Sequence, residues 1–246
     1  LVGSEMCIRD SYTRIYDQSK VISYYDDVAA TFTNFAMSGI DKVHFGLEAA
    51  VSIPIYHTLA LNGAVSWGQY TYDSNPYYLQ TQDNSGDIVS DGYVYWKDFR
   101  VESTPQTAVN VGLSWRSNNN IYLSADFNYY NNMYLSMSPI YRTDAVITGG
   151  MAPGDIEHLR RQEKFDSAYT LNASIGKNWY IHRKYTLGFS LDVKNILNNQ
   201  DIKTGGYEQT RLSKNTETTV TTYQAFDSKY FYMFGTTYYL NLYFRF

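Results

Sequence analysis

The side chains that could do chemistry in this chain are its histidines, its lone cysteine and a few carboxylates, and their spacing decides what they can do. His44, His57, His158 and His182 are scattered. None has a second histidine four positions on, the spacing that puts two ligands on one helical face, so they do not read as a metal site. Cys7 is alone, which excludes an intrachain disulfide framework and a cysteine-based zinc centre. Glu48, Asp126 and Asp192 could act as general acid and base if two of them met. Each falls instead on the polar side of a different alternating segment, where lining a wet surface is the simpler role. The mixed charge run Gly154–Asp166 reads as a solvated loop, with ligand contact as the sharper alternative. Tyr77 and Tyr78 could stack on a sugar or an aromatic ligand, but loop tyrosines are common without doing so. No catalytic, cofactor-binding or metal-binding residue is assigned, no cofactor is implied, and the chain is not expected to be an enzyme.

The segments that carry these residues repeat in steps of two, and a period of two means β-strand, because successive side chains point to opposite faces. In the last stretch, Lys229–Phe246, one face carries Tyr238, Leu240, Leu242, Phe244 and Phe246, and the other Thr237, Asn241 and Arg245. The pattern recurs upstream. Val43 to Ile55 alternates with His44, Gly46 and Glu48, and after a short turn Leu59 to Trp67 alternates with Asn62 and Ser66. Thr107 to Trp115, Ile121 to Tyr129, Tyr169 to Trp179 and Tyr185 to Val193 follow the same rule. Ser11–Asp17 reads as the end of a further strand and Ser19–Asp27 as loop.

Connections alternate strictly between short and long. Turns are expected at 55–58, 117–120 and 180–184, and long polar segments at 73–92, 135–166 and 198–228. Loops beyond about 12–15 residues are uncommon in compact domains. Short turns at one end and long loops at the other characterise outer-membrane β-barrels. Trp67, Trp115, Tyr129, Trp179, Tyr185 and Phe246 sit near strand ends, as interfacial aromatic girdles do. The predicted fold is all-β, an antiparallel transmembrane β-barrel with polar residues facing a wet lumen. A soluble carbohydrate-binding β-sandwich, in which the apolar face packs on a second sheet, is the alternative that alternation alone does not separate.

The chain has 246 residues, 26 of them tyrosine, and a net charge of −4, which with no basic patch argues against a nucleic-acid partner. No apolar run reaches the ~18 residues of a membrane-spanning helix. The opening LVGSEMCIRDS, residues 1–11, is read as a non-native artefact and 12–246 as the structural unit.

Several stretches resemble TonB-dependent outer-membrane receptors of the Bacteroidetes type. They are Asn195–Asn198 at the end of a strand, Gly205–Gln209 with Arg211, the closing Lys229–Phe246, Gly46 and Glu48 within Gly39–Ala49, Phe99–Ser117, and Asn131–Asp144. One departure is Asn241, where the family's assembly signal usually has glycine. The resemblance implies about seven to eight strands forming the C-terminal portion of a 22-stranded barrel in the cell outer membrane of a Gram-negative bacterium. Its partners would be outer-membrane lipid, an N-terminal plug and remaining barrel strands upstream, the TonB energy-coupling complex acting through that plug, and a surface lipoprotein. Its function would be uptake of a scarce nutrient such as a metal chelate, glycan or peptide, with a passive porin or other outer-membrane barrel as the alternative.

Overall fold

A computed structural model describes residues 4–27, 29–102, 104–149, 156–157, 160–182, 184–215 and 222–246. The strands are β1 (Glu5–Asp26), β2 (Thr31–Tyr56), β3 (Leu59–Tyr72), β4 (Tyr77–Gln82), β5 (Ile88–Tyr93), β6 (Thr107–Arg116) and β7 (Ile121–Asn131). A short helix α1 (Asp144–Thr148) precedes β8 (Ala168–Ile181) and β9 (Tyr185–Lys194). Then come β10 (Lys203–Tyr207), β11 (Leu212–Asn215), β12 (Thr222–Ala225), β13 (Lys229–Tyr232) and β14 (Thr237–Arg245). The fold is all-β. Its main sheet is an antiparallel meander running β1-β2-β3-β6-β7-β8-β9-β14, with β4 and β5 added onto the upper part of β2.

Register keeps like against like across this meander. One row runs Ile53, Leu61, Leu113, Ala125, Ala173, Val193 and Tyr238 from strand to strand, and another runs Ser52, Asn62, Gly112, Asp126 and Asn172 on the opposite face. A slip of one residue would move every apolar side chain to the wrong face, so the alternation itself fixes the pairing. On the polar face the side chains link up. Ser124 and Ser174 share a hydrogen bond of 2.8 Å, and Asn110 donates to Asn128 at 2.8 Å. Glycines there receive aromatic rings: Tyr122 lies over its partner Gly176, and Tyr243 over Gly188, where a Cβ would collide with the ring. The apolar face is left open. Val111 and Leu113 are each 46% exposed and Leu242 is 70% exposed, so no second layer covers this face among the described residues.

The short connections stand where the sequence predicts them, at 57–58, at 117–120 and between β8 and β9. The long segments differ from expectation, because they are not bare loops. Segment 73–92 holds the β4–β5 hairpin, and 198–228 holds β10, β11 and β12. Ser19–Asp26 is strand, the upper half of β1 paired to Thr31–Met37 of β2. Glu5–Ser11 also pairs, against Gly46–Ser52, a register that sets Asp10 opposite Leu47 on the apolar face. The closing stretch is two strands: β13 pairs β10, β14 pairs β9, and Met233–Thr236 breaks between them.

These additions build a cap at the long-loop end, and the main buried core lies there rather than in the sheet. Phe35, Met37, Tyr78, Val94, Trp96, Ile140 and Tyr141 form its centre, all with 7% exposure or less.

Candidate functional site

The cap is held by the stretches that carried the family resemblance, which the fold brings together from distant parts of the sequence. Arg142 is fully buried and makes a bidentate pair with Glu208, Nη1 to Oε2 at 2.5 Å and Nη2 to Oε1 at 2.8 Å. Glu208 also accepts from the Ser138 backbone N–H at 2.8 Å, and its own N–H donates to the Ser136 carbonyl at 2.9 Å. Arg142 Nη1 donates to the Ser138 carbonyl at 3.1 Å, and its guanidinium lies 5.4 Å over the Phe99 ring. A buried ion pair is stable only with such extra hydrogen bonds, because desolvation opposes it. The Tyr141 hydroxyl donates to the Arg211 carbonyl at 2.8 Å, and the Arg211 guanidinium reaches Asp27 at the tip of the β1–β2 hairpin at 3.0 Å.

Gln106, buried to 3% exposure, stands in for a strand neighbour of β3: its side chain donates to the Tyr70 and Val101 carbonyls and accepts from the Tyr70 N–H at 3.3 Å. Asn195 turns the chain at the end of β9 with a positive φ of 51°. Its side-chain amide donates to the Asn199 and Phe234 carbonyls, and its backbone N–H donates to Asn172 Oδ1 on β8. Gly206 passes so close to β13 that a Cβ would run into the Lys229 carbonyl. These recognisable residues therefore serve as staples of the cap.

Beside the ion pair lies a hollow of about 330 Å³, within the range of small-ligand pockets. Tyr24, Asp26, Phe35, Tyr78, Gln80 and Thr143 are among the side chains that line it. Gln80 Nε2 lies 2.6 Å from Asp26 Oδ2, 3.0 Å from the Tyr24 hydroxyl and 3.3 Å from Thr33 Oγ1. Phe35 and Tyr78 stack at 4.6 Å. Burial, and next the Asp26 charge, push the Tyr24 phenol well above its ordinary range, and burial likewise raises Tyr78. Both phenols stay protonated at neutral pH. They can donate hydrogen bonds to a group in the hollow.

The residues singled out in the sequence are not assembled into a centre. Glu48, Asp126 and Asp192 stand on β2, β7 and β9; Asp126 and Asp192 have β8 between them, about 10 Å apart across the sheet. His44 packs on Tyr70 with ring centroids 4.8 Å apart, His57 and His182 occupy turns, and His158 lies outside the described residues. Tyr78 is buried against Phe35, while Tyr77 packs edge-on to Tyr93 and donates to Asp91 at 2.6 Å. No group of His, Cys, Asp and Glu among the described residues has the geometry to hold a metal ion. What sequence reasoning missed is Arg142. An arginine just after Pro139 in a stretch otherwise read as loop is a weak signal, and its partner is 66 residues away. Compared with protein-family models, with curated proteins and with solved structures, the chain matches none.

Proposed function

We propose that this chain is part of the β-barrel of an outer-membrane transporter of the TonB-dependent type, with its cap on the extracellular side. The observation that carries the reading is the open apolar face. Eight antiparallel strands present aligned rows of Val, Leu, Ile, Phe and Trp to the outside, and a water-soluble protein does not leave so large a contiguous apolar surface bare. Hydrocarbon is the medium that suits it. From Leu59, which pairs with Trp115, to Trp67 is eight residues along β3, about 26 Å before tilt, matching an apolar band with aromatics at both rims.

In lipid every backbone N–H and C=O needs a partner within the protein. Among the described residues β1 has only β2 beside it and β14 only β9, so the reading requires further strands that close the barrel onto both edges. The polar face then lines the lumen, where a plug would sit. Transport through that plug, driven by TonB, supplies the function, and the cap is the surface that meets the nutrient first. Expression of the full-length protein in a Gram-negative host tests this. Recovery in the detergent-extracted outer membrane, with uptake that stops when the proton gradient is collapsed, is the expected result. Recovery in the soluble fraction without detergent would sink the barrel, and uptake indifferent to the gradient would sink the active-transport part while leaving a passive porin.

A further inference from the structure

The short-turn end of the sheet carries a charge pattern that transport does not explain. Segments 53–72, 107–125, 168–191 and 237–246 contain no aspartate or glutamate, although the chain has 24 of them. The same segments carry Arg116, Lys177, Arg183, Lys184 and Arg245, and of these Arg116, Lys177, Lys184 and Arg245 lie at or near the short turns. The position of Lys177 is the most telling. It pairs with Ile121 on one side and Phe189 on the other, between Ile175 and Trp179, and so belongs to the apolar set of β8. From β3 to β14 it is the one charged residue in the apolar rows.

Its ammonium lies 5.1 Å from the centre of the Trp179 ring, and Trp179 packs on Phe189 at 5.9 Å. One turn away, Lys184 lies 5.3 Å over Tyr185, whose ring stacks on Phe244. A lysine on a lipid-facing surface lays its stem along apolar neighbours and carries the charge to the headgroup level. No described residue offers either ammonium a carboxylate partner.

We infer that this rim, Lys177 with Trp179 and Lys184 with Tyr185, seats the headgroup phosphate of an anionic phospholipid in the inner leaflet. The inference rests on the barrel reading. The aromatic rings supply the interfacial anchor and the lysines supply charge complementarity. With no acid nearby, the rim favours a headgroup of net negative charge over a zwitterionic one, by about five-fold per lysine, the equivalent of roughly 1 kcal/mol for a basic residue at an anionic surface.

The test reconstitutes the full-length protein in two sets of phosphatidylcholine vesicles. In one set the bromine quencher is on the chains of added phosphatidylglycerol, and in the other it is on an equal amount of the phosphatidylcholine. The Trp179 signal is taken as the difference from a Trp179→Phe variant. Stronger quenching by brominated phosphatidylglycerol, falling toward the phosphatidylcholine value in Lys177→Gln, is the expected result. Equal quenching by the two lipids overturns the headgroup site and leaves the barrel standing. Preference that survives in Lys177→Gln combined with Lys184→Gln also overturns it. Quenching by neither lipid overturns the barrel reading itself.

Discussion

Arg142 and Glu208 have the largest expected energetic effect of any pair in the cap, because removing either alone leaves a charge without its partner in a largely buried place. Removing one partner of a buried ion pair costs about 3–5 kcal/mol, while replacing both by apolar groups is often near neutral. Arg142→Met and Glu208→Leu should each destabilise the cap strongly, and the double variant should lose far less than the sum of the two. A double-mutant cycle read by susceptibility of the cap to protease checks this, and additive losses would mean the two residues act independently. The buried phenols give a second expectation. Burial pushes Tyr141 up to about 12 and raises Tyr24. A phenol raised in the folded state contributes stability that is fully present below its unfolded value of about 10, and this stability is lost as pH rises through the folded value. Absorbance titration should therefore resolve an early and a late phase of tyrosine ionisation. Tyr24 and Tyr141 should follow only as the cap opens; a Tyr141→Phe variant that leaves the late phase unchanged would contradict the assignment.

At the scale of elements, the strands of the sheet were legible and those of the cap were not. Outside the cap, each sheet strand leaves its apolar face open and lines polar groups on the other, so composition follows position with period two and each short turn shows as a gap. The cap strands β4, β5 and β10 to β13 are four to six residues long, too short for a period to rise above chance. Ser19–Asp26 looked like loop because its side chains answer to the cap: Tyr24 meets Gln80, and Ser23 donates to Asn34. The break at Met233–Thr236 was hidden because alternation keeps its parity across it. Gly235 was the available signal: its backbone runs so close to Asn198 that a Cβ would strike the side-chain oxygen. The site was legible only as motifs, whose joining by Arg142 and Glu208 is a long-range contact that local pattern does not contain. The facing assignment itself can be tested on β9, where Leu191 lies between Ile175 and Leu240, and Asp192 between Ser174 and Tyr239. Leu191→Arg should lower folding stability in detergent by about 2–4 kcal/mol, as charges do on a lipid face, and Asp192→Asn far less. Equal losses would mean that the two faces are not distinguished by their surroundings.

At the scale of the whole molecule, the two ends of the sheet differ in everything that matters for orientation. One end has turns of a few residues, aromatic rings and unopposed lysines. The other has the cap with its carboxylates and the hollow. In the barrel reading the first end faces the periplasm and the second the outside of the cell, because short turns are periplasmic and long loops extracellular. Ser85, exposed between β4 and β5, and Asn119, exposed between β6 and β7, sample the two ends. With the exposed Cys7 replaced by serine, Ser85→Cys and Asn119→Cys each leave a single thiol. A maleimide too large and charged to cross the outer membrane should label the Ser85→Cys variant on intact cells. It should label Asn119→Cys only after the outer membrane is permeabilised. The reverse pattern would invert the orientation and move the phospholipid rim to the outer leaflet. Labelling of both on intact cells would mean that the sheet does not cross the membrane. Either result acts on the molecule as a unit, since short turns can share one side only if β2, β3, β6, β7, β8 and β9 each make a full crossing.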